Sequence, residues 1–571
     1  MPVYIQKIKN IFSIFIVIFF AFFITHTAIA ITLADSIGFN IDPDYDATAR
    51  LKVQSTLVKT TSRLYFYVEK NWWDVQVPAK QNEILTDLDA LSLEFNNKIY
   101  PVLTSVFGSE WKPGVDGDTK ITILFHPMKE GVAGYFRSSD GYVKLQIPDS
   151  NEREMIYIDT LQINKTQLKA LVAHEFVHLI TFNQKDRIND VQEEIWLNEA
   201  RADYASTILG YDSLYEGSNL QRRAKDFLNS PSNSLTEWQE TKYDYAVVSL
   251  FMHYLVDHYG IDVLSDSLKS KLVGILSINE ILLKKSVKEN FAQIFTNWTI
   301  SLIVNDCSKD LPYCYFNQNL TNFKINPTLN FLPLSGNSSL SVTNITKNWS
   351  GNWQKIIGGN GNLTLEFSSL TGLDFKIPYI IFDKNNNYSI NFLQLDKNQK
   401  GQITIENFGD QYNSLIIIPS LQTKTSGFNG SELTYPYTFT VSVTGAISQE
   451  DQVLIQKLLA QIDNLKKQIA AIQDGTGQNP NNNVCSQINN NLYFGISNSS
   501  EVRCLQQFLK AQGQEIYPEG LVTGNFGNLT KLAVIRFQEK YKNEILLPVG
   551  LIKGTGFVGP LTRAKINMLL P

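Results

Sequence analysis

Apolar positions recur at helical spacing over Leu168 to Ile180, Ile195 to Leu209 and Tyr245 to Tyr259, and each stretch predicts an amphipathic helix. Upstream, residues 36 to about 165 mix helical and strand periods. Lys120 to Phe125, following the turn-like Gly114 to Thr119, reads as a short strand. Strands first and helices later predict an α+β head domain. From about Asn330 to Gly445 a strict two-residue alternation takes over. Leu363, Leu365 and Phe367 alternate with polar neighbours, as do Ile403 and Ile405, and then Tyr437, Phe439, Val441 and Val443. Gly- and Asn-rich turns separate these runs, which predicts a β-sandwich. It carries no cluster of reactive side chains, so it reads as a spacer or a surface-binding module.

Leu454, Leu458, Ile462, Leu465, Ile469 and Ile472 then predict one helix with an apolar seam over residues 448 to 473. A Gly/Asn/Pro-rich linker follows from Gly475 to Asn483. Beyond it, Ser500 to Gln512, Leu529 to Lys540 and Pro560 to Leu569 predict three short helices joined by glycine-rich turns. No internal repeat of 20 to 50 residues is legible. At the other end, Lys7 and Lys9 precede an apolar run from Ile11 to Ile24, and Ala28-Ile29-Ala30 follows. This predicts a secretion signal cleaved after Ala30, because the run falls short of the roughly 20 residues a spanning helix needs, with an uncleaved N-terminal anchor as the alternative. No later stretch approaches that length, so no membrane span is expected after cleavage. The expected division is a signal at 1–30, a head at 31–329 with 31–75 a candidate propeptide, a β-sandwich at 330–446, a helical stalk and linker at 447–484, and a small all-α module at 485–571.

Composition narrows the function classes. A chain of 571 residues holds several domains. With 43% apolar and 18% charged residues it is neither wholly disordered nor fibrous. The balance of 55 acidic against 50 basic residues leaves no electrostatic footprint for nucleic acid. Four cysteines fall into two close pairs, Cys307 with Cys314 and Cys485 with Cys504, and an even number in an exported chain predicts two local disulfides.

The candidate chemistry lies in two of the predicted helices. His174-Glu175-Phe176-Val177-His178 is an H-E-x-x-H motif, whose histidines share one helical face and can aim at one ion, with Glu175 beside them. Glu199 follows His178 by 21 residues, and a loop of about a dozen residues lets the second helix fold back and bring this carboxylate to the same ion. Asp203, one turn further, is placed to accept a hydrogen bond from the far nitrogen of a ligating histidine. Such a site has three protein ligands and one open position. His253 and His258 sit in a long apolar pattern and read as packing or surface residues, and His126 has no assigned role.

H-E-F-V-H followed by W-L-N-E-A-R-A-D-Y-A resembles the gluzincin metallopeptidases, and within them most closely the hyicolysin-like secreted peptidases. The likeness extends to G-V-D-G-D-T-K-I-T-I-L before the motif and Y-D-Y-A-V-V-S-L-F-M-H-Y-L after it. It implies that His174, His178 and Glu199 bind a single zinc ion, that Glu175 is the catalytic carboxylate, and that Asp203 orients a ligand. It further implies an oxyanion donor at Tyr245, with Tyr243 second, and a substrate-pairing edge from Gly131 to Phe136. The tail pattern V-x-x-L-Q-x-F-L, V-T-G-N-F-G and G-x-V-G-P-L-T-R-A is similar to the three-helix peptidoglycan-binding domain of bacterial wall enzymes. Together the resemblances imply an exported zinc endopeptidase at the cell envelope, with peptide substrates and peptidoglycan as partners. Two competing readings are a hydrolase of peptidoglycan stem peptides and an inactive zinc-binding wall adhesin.

Overall fold

The computed structural model describes residues 36–308, 311–334, 336–428, 430–444, 456–462, 464–466 and 487–570. The expected signal at 1–30 lies outside the described residues. The chain divides near residue 451 into two compact units.

In the first unit, strands β1 (Ser36–Asn40), β2 (Lys52–Thr60), β3 (Leu64–Glu69), β4 (Ile121–His126), β5 (Gly134–Phe136) and β6 (Met155–Asp159) form a sheet in the order β1-β2-β3-β4-β6-β5. The β3–β4 and β4–β6 pairs are parallel, and the others are antiparallel. β4 and β6 are buried along their whole length, which suits near-continuous apolar runs covered on both faces. Their side chains alternate between two layers. Ile121, Ile123, Phe125, Ile156 and Ile158 enter the large core shared with the helices, while Leu124, Met155 and Tyr157 enter a smaller one with Phe39 and Val53. The stretch entertained as a propeptide supplies β1, β2 and β3, with Leu64, Phe66, Tyr67 and Val68 fully buried. Its removal would strip three of the six strands from this sheet.

The H-E-x-x-H motif lies on the helix Leu168–Thr181 and Glu199 on the helix Ile195–Ile208; we refer to these as the motif helix and the ligand helix. The chain between them is less of a loop than the sequence suggests. It continues as a π-helical turn over Phe182–Arg187 before reversing at Asp190, where φ is 56°. The helix Asn219–Asn229 is capped by the Ser218 side chain. The helix Lys242–Tyr259 starts with a capping box formed by Thr241 and Asp244. The Cys307–Cys314 disulfide is formed.

Nine strands between Thr328 and Thr444 form one nearly closed sheet, whose two halves are joined, among the described residues, through the pair Phe408 and Tyr412, and Phe375–Lys376 pairs separately with Ser420–Leu421. Leu363, Leu365, Phe367, Tyr437, Phe439 and Val441 from one half meet Ile356, Leu415 and Ile417 from the other in a common core. This domain is not the detached spacer that its alternation suggests. Trp349, Trp353, Ile380, Ile416 and Ile418 point the other way, into the core of the head. Trp349 packs edge-on against Phe291 and Phe295 at 5.1 and 5.4 Å. Each large side chain buried there contributes about 1.5–3 kcal/mol, so the two domains fold as one body.

In the second unit, residues 456–462 and 464–466 are helical, and Leu458, Ile462 and Leu465 are exposed. The rest of the predicted seam, and Cys485 as the expected partner of Cys504, lie outside the described residues. Helices Ser500–Ala511, Asn528–Lys540 and Pro560–Leu569 enclose a core that includes Leu505, Phe508, Val534, Phe537 and Ile566. This module holds an internal repeat that sequence reading misses. The buried Gln506 accepts the N–H groups of Thr523 and Gly524 and donates to Asn525 O and Thr530 Oγ1. The buried Gln538, 32 residues on, does the same to Thr555, Gly556, Phe557 and Thr562. Each glutamine thereby replaces the missing backbone partners of one T-G-x-x-G-x-L-T loop.

Candidate metal centre

The motif helix packs Phe176 against Phe95 and Tyr100 of the helical stretch that runs from Pro78 to Phe107, and its two histidines meet the ligand helix on another side. Four residues of separation then set His174 Nε2 and His178 Nε2 3.2 Å apart. Glu199 on the neighbouring helix places Oε2 3.2 Å from His174 Nε2 and Oε1 3.5 Å from His178 Nε2. Ligand atoms of the three residues all lie within 4.8 Å of one another, the one such group of His, Cys, Asp or Glu among the described residues.

The donor set suits a divalent cation. His178 Nδ1 lies 3.1 Å from Asn198 Oδ1, so the amide oxygen fixes the N–H on that side and leaves the Nε2 lone pair facing inward. Glu199 Oε2 is buried and faces the imidazoles alone, a costly state for a carboxylate unless a cation meets it. Burial opposes ionisation of Glu199, yet the two imidazoles win and hold its carboxyl below the usual range. Burial likewise opposes the charge on His178, but Glu199 overrides it and lifts the imidazole to about 9. Two imidazole nitrogens and one carboxylate are a zinc-type set, and no other side chain is needed to complete three ligands.

Glu175 faces the same space and is buried, which raises its carboxyl above the ordinary range while the histidine charges pull it back. The strand β5 passes directly over it. A Cβ on Gly134 would stand 3.4 Å from Glu175 Oε1, and the Phe136 ring lies 6.4 Å from that of His178. β5 is the terminal strand of the sheet, so its outer edge is unpaired within it. Beside it is a cavity of about 380 Å³ lined by Met128, Val132, Ala133, Asp159 and Leu161 among others.

Asp203 departs from its expected role. It makes no hydrogen bond to an imidazole: its Oδ1 receives Arg223 Nε and Nη2 at 3.1 and 2.7 Å and Asn219 Nδ2 at 3.0 Å, and its Oδ2 is buried and unpartnered. Burial alone would raise its carboxyl, and Arg223 reverses that. The hydrogen bond expected from Asp203 comes to His178 from Asn198 instead, which the ligand helix presents one residue before Glu199. Arg223 also covers the ring of Tyr245 at 4.5 Å. Tyr245 stands 6.3 Å from the His174 ring and 4.7 Å, edge-on, from Trp238. Its phenol is pushed well up by burial and then by Glu199 and Glu175. Tyr243 packs under Lys242 and is not brought to the site. His253 and His258 are packing residues: the former contacts Thr207 and Asn317, the latter the carbonyl of Cys314. His126 is fully buried beside Tyr135 and Pro127.

Asn198, Asn219 and Arg223 are the polar residues that sequence reading missed. Asn198 was the accessible one, since it adjoins the proposed ligand on the same helix.

Comparison with known proteins adds two findings. Residues 498–544 match a family model described as a putative peptidoglycan binding domain. A neutral metalloprotease of Staphylococcus hyicus, ShpI, is 30% identical over a stretch covering 30% of this chain and 42% of that protein, so the chain spans under half the relative's length. Among solved structures, the Yersinia pseudotuberculosis-derived mitogen is 11% identical, with a TM-score of 0.14 over 20% of this chain and 92% of its own. The pre-peptidase C-terminal domain of a Bacillus anthracis collagenase is 8% identical, with a TM-score of 0.13 over 20% of this chain and 96% of its own. Likenesses at these scores carry no argument. No described helix is long and apolar enough to cross a membrane. The chain thus combines a stretch similar to a metalloprotease, a convergent His/His/Glu set, and a tail of peptidoglycan-binding type.

Proposed function

We infer that the protein is an exported zinc metalloendopeptidase held at the bacterial cell wall by its C-terminal module. The observation that carries this reading is the convergence of His174, His178 and Glu199 beside the buried Glu175, under the free edge of β5. The similarity to a neutral metalloprotease supports it. A zinc ion held by these three residues would polarise the scissile carbonyl and lower the pKa of a water from about 15.7 toward about 7. The rest is the work of this chain's side chains. Glu175 takes the proton of the attacking water and passes it to the departing amine. β5 holds the substrate backbone extended by adding it as a further strand. Tyr245 donates its O–H to the developing oxyanion, a contribution of about 2.7–4 kcal/mol in comparable sites. The raised phenol keeps that proton throughout the neutral range. Arg223 holds Asp203 and Tyr245 in place together.

In finer terms, the head is a gluzincin of the hyicolysin-like kind and the nine-stranded domain a β-sandwich fused to it. The second reading, cleavage of peptidoglycan stem peptides, is favoured by the tail's family match. The adhesin reading is opposed by Glu175, since an inert site has no chemical use for a buried base there. Incubating the full-length protein with casein and with purified sacculi separates the three. Chelator-sensitive casein cleavage is expected. Release of stem peptides without casein cleavage would replace the first reading by the second, and bound zinc with neither activity would favour the adhesin.

A further inference from the structure

We propose that the nine-stranded domain is a positioning part of the metal centre, acting through Glu194 on the ligand helix and through Glu237 on the segment that leads into the helix of Tyr245; this rests on the metal-dependent reading above. Glu194 immediately precedes the ligand helix, five residues ahead of Glu199. Its buried carboxylate accepts the N–H groups of Gly427 and Phe428 from the β domain at 2.7 and 3.3 Å, and the Trp196 indole of its own helix at 2.7 Å. One carboxylate thus ties the first turn of the ligand helix to a loop of the neighbouring domain. Gly274 closes over it from the third side. A Cβ there would fall 1.9 Å from Glu194 Oε2, so the packing permits glycine alone.

The segment before Tyr245 is tied in the same way. Buried Glu237 accepts Lys347 Nζ at 2.6 Å and the Glu432 N–H at 3.0 Å, both from the β domain. Next to it, the Trp238 N–H donates to Gly430 O at 3.2 Å. Trp238 is the ring that packs on Tyr245, and Tyr245 flanks His174. The Leu235 N–H reaches Trp349 O at 2.9 Å along the same edge. Gly427 and Phe428 of the β domain therefore hold the helix that supplies Glu199, while Lys347, Trp349, Gly430 and Glu432 hold the segment that supports Tyr245. A surface module or spacer would need contact with neither.

The test uses the full-length protein and two variants, Glu194→Gln and Lys347→Met. Hydrogen exchange is read first, on metal-free protein. The proposal predicts faster exchange in Ile195–Ile208 for Glu194→Gln and in residues 234–245 for Lys347→Met, with the motif helix unchanged. Zinc affinity by chelator competition should fall about 10- to 100-fold for Glu194→Gln, the usual effect of removing a group that orients a ligand. Its kcat should fall while KM holds. A merely structural role would lower the unfolding temperature and leave exchange, affinity and kcat at wild-type values below it; that result overturns the proposal. If Glu194→Gln does not fold, Lys347→Met, which lies wholly in the β domain, decides by the same exchange criterion. A wild type that takes up no zinc would sink the metal reading, whereas the exchange data would still judge the clamp.

Discussion

Glu175→Gln should lower kcat for peptide hydrolysis by about 10²- to 10⁴-fold, the range ascribed to a positioned general base, while the protein keeps its zinc. Glutamine has the size and shape of glutamate, so the packing under β5 survives; Glu175 is only 4% exposed and does not belong to the three-residue ligand set. What is lost is the capacity to take a proton, because an amide oxygen is far too weakly basic. KM should change little, since the backbone edge of β5 and the cavity beside it are untouched. Turnover of a fluorogenic peptide, measured beside zinc content in the same preparation, checks both halves. Equal turnover in the two proteins would remove Glu175 from the mechanism.

Arg201→Met should cost about 3–5 kcal/mol of stability, the price of breaking a buried ion pair by deleting one partner. Arg201 is fully buried on the ligand helix, with Nη1 2.7 Å from Glu193 Oε2, Nη2 2.8 Å from Ser267 Oγ and Nε 3.3 Å from Leu264 O. Without it, Glu193 keeps the N–H groups of Glu194 and Gly274 and a distant contact with Lys185 at 3.6 Å. Lys185 Nζ is already held by the carbonyls of Ser270 and Leu272, so at 3.6 Å it is a weak substitute. Methionine fills the volume and offers no donor, leaving the Glu193 carboxylate short of a charged partner, while the Leu264 carbonyl keeps Ser267 Oγ at 2.9 Å. Urea unfolding by tryptophan fluorescence is a clean readout, because all eight tryptophans lie between Trp72 and Trp353, in the first unit. The midpoint should drop at unchanged slope. A shift equivalent to under about 1 kcal/mol would show that the network is dispensable.

Much of the site was legible because its chemistry is local. The spacing of His174 and His178 is a property of any α-helix, and the apolar periods placed the motif and ligand helices to within a residue of their observed ends. What escaped was long-range. Leu415-Ile416-Ile417-Ile418 is apolar without a break, and such a run marks a strand buried on both faces; two of its residues serve the sheet's own core and two serve the head. Reading the domain by its alternating strands alone hid that second face, and with it the role of Glu194 and Glu237. The partner of His178 was missed for a different reason. Asn198 and Asp203 both lie on the ligand helix, and only the rotation of that helix, fixed by Arg201 and Glu194, decides which one meets the imidazole. The tail repeat was hidden because it is carried by two glutamines and their loops, whereas the eye follows apolar positions.

The central claim is that three side chains hold one cation, and its most direct test is equilibrium zinc binding to the full-length protein beside His174→Ala, His178→Ala and Glu199→Ala. The account predicts one tightly held zinc per wild-type chain and a loss of more than about 100-fold in affinity for each variant, beyond the effect of removing a merely orienting group. Wild-type affinity in any one of the three would contradict it.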